Sequence, residues 1–285
     1  MKSIYTALLL TIALSTTTLA QTFRFTAIPD QNTARLKERF DKIASYLSKE
    51  LDVDVEYIPV KSYAASIAAF KNNDVQLAWF GGLSGVQARR AVPGARAIAQ
   101  GEEDMAFVTY FIAHSSTGLK PAADFPDAIK ARTFTFGSKG STSGRLMPEF
   151  FVRQHFKKSP ADVFKRVGFS GDHSKTIALV QSGSYQVGAV NFAVWEKEVA
   201  AGGIDTTKVA VIWKTPAYPD YNWSIRGDTN AAYGQGFVEK VQNALLSMKD
   251  RNLLDSFPRT RFIAADNRMY EPILKTAVDV GIIEK

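Results

Sequence analysis

The apolar positions in the first part of the chain switch repeatedly between two periods. Residues 23–28 alternate as a strand does, whereas residues 36–47 place apolar side chains at the spacing of one helical face. Strand patterns return at 54–60 and 75–80, with a helical pattern at 62–70 between them. A further helix is expected to begin near Ser84, after a glycine pair. This order of strands and helices is typical of a parallel sheet in an α/β fold.

A second α/β unit follows a long strand-like run at 107–113. The remaining predicted strands lie at 133–136, 167–169, 187–190, 209–213 and 221–226, and the remaining helices follow 141–143 and cover 174–181, 236–248 and 272–283. The extended stretches near 107–113 and 211–223 are candidate crossovers between the two units. We therefore expect two lobes joined by a hinge.

The predicted lobes divide the chain unequally. Lobe 1 comprises 21–110 together with 221–285, and lobe 2 comprises 111–220. Ligands of such folds bind outside the carboxyl ends of the strands, which here means a cleft between the lobes. Five loops lie at those ends, and most of them open a helix: 29–33, 62–63, 79–84, 141–143 and 171–174.

The most informative of these loops carries three consecutive hydroxyls, Ser141, Thr142 and Ser143. A strand and a glycine-containing break precede them, and a helix follows. Hydroxyls, free backbone N–H groups and the positive end of a helix dipole together form an anion site. Arg145 opposes that dipole, a placement that favours a bound negative charge. The alternative is an ordinary, well-capped helix, and the P-loop pattern does not align here.

The N-terminus and the composition indicate an exported protein. Residues 1–20 have a charged start, a short apolar run and small residues before Gln21, which predicts a cleaved signal peptide. The chain has no cysteine, so disulfides and lipid attachment through cysteine are excluded. Its formal charge of +7 falls to +6 after cleavage, with both signs interspersed, and no nucleic-acid tract is present. We expect no insertion into the membrane.

Several short stretches occur in an order that is typical of one family: 61–65, 77–82, 137–144, 171–173 and 213–216. Through them nearly all of the chain after residue 20 resembles the periplasmic substrate-binding proteins of phosphonate, phosphite and phosphate ABC transporters. Within that family it is most similar to the branch described as selenate-binding components. The resemblance implies a two-lobed type II periplasmic-binding fold, each lobe a mostly parallel sheet flanked by helices. It also implies closure over a ligand and delivery to a membrane permease.

The resemblance assigns ligand-binding roles by position. Ser141, Thr142 and Ser143 would grip the oxygens of an oxyanion, while Tyr63 opens a helix and His173 lies in the cleft. Tyr63 has core packing as an alternative role. The polar turn around His173 favours exposure to a cleft over burial. Since the three histidines of the chain are not at metal-ligand spacing, no metal and no cofactor are expected.

Four further positions complete the expected site. Trp79 and Phe80 would form an aromatic wall, with the ordinary core as the alternative for both. Asp220 matches an acidic residue after the second crossover, or is a turn residue. Asn191 stands where relatives that bind aminoalkyl phosphonates have carboxylates, and it is either a cleft contact or a strand cap. An amide there disfavours a zwitterionic ligand.

These features predict a monomeric binding component of an ABC importer that captures a small tetrahedral oxyanion. Asn191 favours a fully ionised anion such as selenate, whereas Asp220 in the cleft would favour an anion that carries a proton. The resemblance tips the expectation to selenate or a close analogue. The alternatives are phosphonate, phosphite or phosphate, or a periplasmic sensor that signals to a membrane kinase. An enzyme is disfavoured because no G-x-S-x-G nucleophile motif occurs.

Overall fold

The computed structural model describes residues 21–284. The predicted signal peptide, residues 1–20, lies outside this range. Between residues 21 and 284, no helix combines the length and the apolar character required to cross a bilayer.

Strands and helices alternate through most of the described chain. The strands are β1 (Phe23–Ala27), β2 (Val55–Tyr57), β3 (Leu77–Phe80), β4 (Arg96–Gly101), β5 (Thr109–His114), β6 (Thr133–Phe136), β7 (Arg166–Phe169), β8 (Val187–Asn191), β9 (Val209–Lys214), β10 (Asn222–Ile225) and β11 (Phe262–Ala264). The α-helices are α1 (Thr33–Leu51), α2 (Tyr63–Lys71), α3 (Gly82–Ala91), α4 (Met147–Phe156), α5 (Pro160–Val163), α6 (His173–Gln181), α7 (Phe192–Ala200), α8 (Thr229–Tyr233), α9 (Phe237–Leu246), α10 (Arg251–Leu254) and α11 (Glu271–Val280).

The strands form two mixed sheets. In the first, the order is β11-β4-β10-β3-β1-β2, and β1 pairs in parallel with both β2 and β3. In the second, the order is β7-β6-β8-β5-β9, and β6 pairs in parallel with β7 and β8. The parallel strands are those expected from the repeated strand–helix pattern.

The antiparallel strands follow the places where the chain crosses between the sheets. β5 enters the second sheet between β8 and β9, and β10 returns to the first sheet between β3 and β4. The two crossings touch, because Phe107 and Tyr218 exchange backbone hydrogen bonds of 2.9 and 3.0 Å. The two sheets make this the two-lobed fold of type II periplasmic-binding proteins.

We call the body built on the first sheet lobe 1 and the body built on the second sheet lobe 2. Sheet membership changes before Thr109 and again before Asn222, close to the boundaries predicted at 110 and 221. The boundaries themselves stay a prediction, because sheet membership does not define which connecting residues move with each body.

Helix α1 illustrates how local sequence sets the elements around the site. The side chain of Asn32 accepts hydrogen bonds from the amides of Ala34 and Arg35, which satisfies free donors at the helix start. Its buried face comprises Leu36, Phe40, Ile43 and Leu47 at helical spacing. Asp52 ends the helix with a left-handed backbone at φ 56°, and its amide bonds to Ser48.

Candidate functional site

The Ser-Thr-Ser segment folds as a wide helical turn that opens α4. Residues Thr142–Leu146 form one turn of π-helix, in which Leu146 N–H donates to the Ser141 carbonyl at 3.0 Å. Pro148 lies just beyond and has no N–H to give to the Gly144 carbonyl. That carbonyl instead accepts from Gly137 N–H at 2.7 Å, so the strand-to-helix loop closes on itself. The sequence thus dictates a turn wider than an α-helix.

We call residues 140–146 the hydroxyl turn. Its three hydroxyl residues are buried, and it presents free donors. The Ser141 hydroxyl oxygen accepts from Gly144 N–H at 2.9 Å, which leaves its own proton available. No carbonyl or side chain within residues 21–284 accepts a hydrogen bond from the amides of Thr142 and Ser143. Buried amides are rarely left unpaired, so the turn is built to meet an acceptor. This is the arrangement that an anion site at a helix start requires.

Lobe 1 brings the start of helix α3 against this turn. Leu83 N–H donates to the Thr142 hydroxyl oxygen at 2.9 Å, across the two lobes. The neighbouring Gly82 N–H donates to Asp220 Oδ1 at 2.8 Å. A Cβ atom added to Gly81 would lie 3.2 Å from both oxygens, so glycine permits the close approach. The lobes are closed on each other at this point.

Asp220 lies beside Thr142 as a fully buried carboxyl group. Burial raises its pKa to about 7, although hydrogen bonds from Thr142 and Gly82 pull that pKa down. Its second oxygen, Oδ2, has no hydrogen-bond partner among the described residues. At neutral pH the group is therefore poised between a proton donor and a proton acceptor.

His173 is the first residue of α6 and is fully buried, so the expectation that its polar turn leaves it exposed is wrong. Its Nδ1 accepts from Asn191 N–H at 3.3 Å, so the neutral ring carries its proton on Nε2. Burial lowers the pKa of His173 to about 4, which keeps the ring neutral at pH 7. The Nε2 atom has no partner within residues 21–284 and is a free donor.

Tyr63 contributes a third free polar atom. It opens helix α2, whose N-cap Ser62 accepts from Ala65 N–H at 3.1 Å. Its ring lies against the hydroxyl turn, since a Cβ atom added to Gly140 would meet Tyr63 Cβ at 3.0 Å. Burial, reinforced by the charge of Asp30, raises the pKa of the phenol well above its usual value, and its hydroxyl has no partner in the described chain.

These groups surround the same turn. The imidazole of His173 touches it at Gly144, Asp220 touches it at Thr142, and Tyr63 touches it at Gly140. The donors of the turn, His173 and Tyr63 are all neutral, and the acidic group of the set, Asp220, carries a proton readily. Such a set can hold the oxygens of a small anion and accept or share its proton.

The other expected positions are distributed differently. Trp79 stacks on Tyr221 at a centroid distance of 5.4 Å and borders a cavity of about 20 Å³ between the lobes. Phe80 is fully buried against Phe70, at 5.6 Å, and belongs to the core of lobe 1. Asn191 is the N-cap of α7, and its side chain also donates to Tyr221. Neither Trp79 nor Phe80 has a described contact with the hydroxyl turn.

The position of Arg145 has an explanation within the protein, so it is no evidence for a bound anion. Its guanidinium group forms an ion pair with Glu149, one helical turn further on, and lies over the rings of Phe136 and Phe169 at 4.9 and 5.1 Å. The negative charge that pairs with Arg145 therefore belongs to the protein itself. The spacing of four residues between the two was a visible signal for this pair.

Two groups support the turn from the crossover side: Thr109, whose facing the sequence leaves open, and Tyr218, which the sequence does not assign to the site. The Thr109 hydroxyl donates to the Ser143 carbonyl at 2.8 Å, and the Tyr218 hydroxyl lies 2.6 Å from Thr109 Oγ1. Since Thr109 uses its proton on Ser143, Tyr218 is the donor in the second bond. The pattern at 107–113 predicted the strand but not which side chains face the cleft.

A comparison with protein families places the chain beside transport proteins. Residues 25–270 match the family described as "ABC transporter, phosphonate, periplasmic substrate-binding protein". This match covers most of the described chain, including both sheets and every site residue discussed above.

Two curated proteins show the same relationship. A probable ABC transporter phosphite binding protein, PhnD1, of Prochlorococcus marinus strain MIT 9301 is 41% identical over 260 residues, covering 87% of this chain and 86% of the relative. A phosphonates-binding periplasmic protein of Escherichia coli K12 is 26% identical over 198 residues, covering 68% and 58%.

Solved structures agree with the fold. The structure of PhnD1 from Prochlorococcus marinus in complex with methylphosphonate superimposes with a TM-score of 0.88 at 39% identity, covering 92% of this chain and 99% of that one. A binding protein component of an ABC phosphonate transporter from Pseudomonas aeruginosa superimposes with a TM-score of 0.79 at 20% identity, covering 91% and 86%.

Proposed function

Because this chain belongs to the periplasmic substrate-binding proteins of phosphonate ABC transporters, we propose that its ligand is a small phosphorus oxyanion, phosphite or methylphosphonate. The chain is the periplasmic, non-enzymatic component that binds the ligand and works with a membrane permease. The relatives support the ligand class, since one is described as a phosphite binding protein and its structure contains methylphosphonate.

The observation that carries the choice of ligand is the buried carboxyl group of Asp220. A pKa of about 7 lets it accept a proton from a protonated oxyanion or donate one to a fully ionised oxyanion. Phosphite and phosphonates exchange their last proton near neutral pH, so they match this group. Selenate and sulfate offer only acceptors at that pH, so they can bind beside Asp220 only while its carboxyl group is protonated, whereas a phosphorus oxyanion can bind beside either form.

Selenate, the first expectation from the sequence, is therefore our second choice. The argument for it was the amide at Asn191, in the place of a carboxylate. In the structure that amide caps α7 and bonds to Tyr221, so it says little about the charge of the ligand.

We assign the ligand contacts to the groups around the hydroxyl turn: Ser141, Thr142, Ser143, Tyr63, His173 and Asp220. Trp79 and Asn191 line a separate small cavity between the lobes, which none of these six residues lines. Hydrogen bonds to a charged partner contribute roughly 1.5–3 kcal/mol each, so a few of them suffice for micromolar binding or better. Closure excludes water and strengthens all of them together.

Calorimetry of the exported chain with phosphite, methylphosphonate, phosphate, sulfate and selenate at pH 7 tests the proposal. We expect phosphite or methylphosphonate to bind about tenfold or more tightly than sulfate and selenate, a difference of about 1.4 kcal/mol. Tighter binding of selenate or sulfate would contradict it.

The variant Asp220→Asn separates the role of the carboxyl group from the rest of the site. It should bind phosphite about tenfold more weakly and lose most of the preference over sulfate, because an amide cannot exchange a proton. Asp41→Asn, which removes an exposed carboxyl paired with Lys37, is the matched control and should behave as the wild type. An unchanged preference in Asp220→Asn would refute the assignment.

Two features of the mature protein complete the proposal. We infer that the chain acts as a monomer and that its leader is removed before Gln21. Light scattering coupled to size exclusion tests the first inference, and the mass of the exported protein tests the second. A dimer, or a mature N-terminus elsewhere, would contradict the respective inference.

A further inference from the structure

Asp30, Tyr221 and Asn191 form a buried hydrogen-bond chain between the lobes. The Asn191 side chain, at the end of β8 in lobe 2, donates from Nδ2 to the Tyr221 hydroxyl at 2.9 Å. Tyr221, which leads into β10 of lobe 1, donates that hydroxyl proton to Asp30 Oδ2 at 2.8 Å. All three residues are less than 10% exposed. We call these three residues the closure chain.

The closure chain is fixed at both ends. Asn191 Oδ1 accepts from the amides of Ala193 and Val194 at 2.7 and 3.2 Å, so the side chain is held by the start of α7. The carbonyl of Asp30 accepts from His173 N–H at 3.0 Å, a second bond between the lobes. Asp30 therefore contacts lobe 2 both through its side chain and through its backbone.

Resting on the proposed function, we infer that the closure chain sets the affinity for the ligand without touching it. The Tyr221 hydroxyl proton is used on Asp30, and an Asn191 N–H is used on Tyr221, so these donors are committed within the protein rather than to an anion. Its interlobe bonds exist only where β8 and β10 come together. Contacts made only in the closed form shift the equilibrium towards closure and therefore tighten binding.

A contrasting contact shows why burial matters here. Arg35 and Glu198 also join the two lobes, at 3.1 Å, but the Arg35 side chain is 68% exposed. Exposed ion pairs contribute little and are screened by salt. The closure chain is shielded from water, so each of its bonds should count more.

The closure chain should affect the affinity for every ligand equally and leave selectivity unchanged. Because closure is common to every ligand, losing the closure chain should weaken binding of phosphite, methylphosphonate and phosphate by the same factor. Losing a ligand contact such as Asp220 should instead change the ratios between ligands.

Tyr221→Phe is the sharpest test, since it removes only the hydroxyl and keeps the ring stacked on Trp79. We expect its affinity for all three ligands to fall by the same factor, about five- to tenfold. Tyr46→Phe is the matched control, because the Tyr46 hydroxyl donates to the Ala244 carbonyl within lobe 1, at 2.7 Å. That variant should bind as the wild type does.

Asn191→Ser provides a second variant in case Tyr221→Phe does not fold. Serine keeps an oxygen that can cap α7 but has no amide to reach Tyr221, so the same uniform weakening is expected. Small-angle scattering gives a readout that a merely structural role would not move: each folded variant should reach the compact, ligand-bound radius of gyration only at higher ligand concentration.

Several outcomes would overturn the inference. Unchanged affinity in both variants, with the wild type binding normally, would refute the closure chain and leave the proposed function intact. A change in the ratios between ligands would show that Tyr221 is a ligand contact. If the wild-type chain bound none of the oxyanions, the proposed function would fail and the inference with it.

Discussion

Asp220 and His173 are buried beside the same turn, and burial moves their pKa values in opposite directions. It raises the pKa of Asp220 from 3.8 to about 7 and lowers that of His173 from 6.5 to about 4. Both shifts favour the neutral form. In the ligand-free chain they have opposite consequences for stability as a function of pH, because one neutral form holds a proton and the other has lost one.

The sign for Asp220 follows from proton linkage. Between about pH 4 and pH 7 the folded chain holds a proton on Asp220 that the unfolded chain has released, so the free energy of unfolding falls as the pH rises. Asp220→Asn removes this fall. When the pH is raised from 4 to 8, the free energy of unfolding of the ligand-free variant should increase relative to that of the wild type by an amount on the order of 1–4 kcal/mol.

Urea unfolding at several pH values measures this difference directly. The wild-type curve of stability against pH must be subtracted, because His173 and Asp220 change the free energy of unfolding in opposite directions as the pH rises. The folded chain keeps His173 neutral below pH 6.5, so that residue makes stability rise with pH between about 4 and 6.5. A difference between Asp220→Asn and wild type that stays constant with pH would contradict the raised pKa.

At the level of single residues, the sequence predicted the positions of chemically important residues better than their hydrogen-bond partners. It placed Tyr63 and His173 at helix starts and Asp220 after the second crossover, where the structure has them. It could not show that Asn191 would bond to Tyr221, because those residues are 30 positions apart and only the fold brings them together. The pairing of Arg145 with Glu149 was local and could have been predicted.

Among the elements, the hydroxyl turn and the start of α3 form one of the contacts between the lobes. One supplies free amides and hydroxyls, and the other places Leu83 N–H on Thr142. Two helix starts from different lobes therefore meet at the proposed ligand site. This arrangement concentrates partial positive charge without any charged side chain.

Removing the hydroxyls of the turn should weaken binding strongly. Thr142→Ala combined with Ser143→Ala is expected to cost tenfold or more in affinity for phosphite. The Ser143 hydroxyl is a proposed bond to the charged ligand, worth roughly 1.5–3 kcal/mol. The Thr142 hydroxyl joins Leu83 and Asp220 to the turn. Ser182→Ala combined with Thr276→Ala removes two exposed hydroxyls elsewhere and is the control. Calorimetry that finds equal affinities in the two double variants would exclude the turn as the anion site.

Gly81→Ala tests the approach of α3 to the turn. The φ angle of Gly81 is −76°, so alanine fits the backbone, but its Cβ atom would lie 3.2 Å from Asp220 Oδ1 and Thr142 Oγ1. We expect binding of phosphite to weaken about fivefold or more, roughly 1 kcal/mol, because the lobes must part slightly. The melting temperature without ligand, measured by calorimetry, should change little. Normal binding by this variant would argue against close contact during capture.

The elements themselves were predictable where the pattern was strong. Strands β1 and β3 and helix α1 followed directly from alternation, continuous apolar character and helical spacing. Strand β4 was missed because its sequence, Arg-Ala-Ile-Ala-Gln-Gly, has weak strand propensity and is stabilised by its neighbours. Strand β11 has only three residues, too few for a periodicity to appear. The pairing of β10 between two distant strands is a property of the whole fold.

At the scale of the molecule, the lobes close around neutral donors while the net positive charge is spread over the surface. The formal charge of the chain is +7, with acidic and basic residues interspersed. Such a field draws in small anions from a distance and is screened by salt. The groups proposed to hold the ligand are buried, so their bonds should be screened much less.

Salt should therefore change the association rate constant more than the dissociation rate constant. Raising the concentration of an inert sodium salt from about 0.05 M to 0.5 M shortens the screening length several-fold, so the association rate constant for phosphite should fall by about two- to fivefold. The dissociation rate constant, measured by stopped flow, should change by less than about twofold, because it reports the buried contacts. Titration with a salt of a second inert anion controls for competition at the site. A dissociation rate that rises steeply with both salts would mean that exposed charges, rather than the amides and hydroxyls of the turn, retain the ligand.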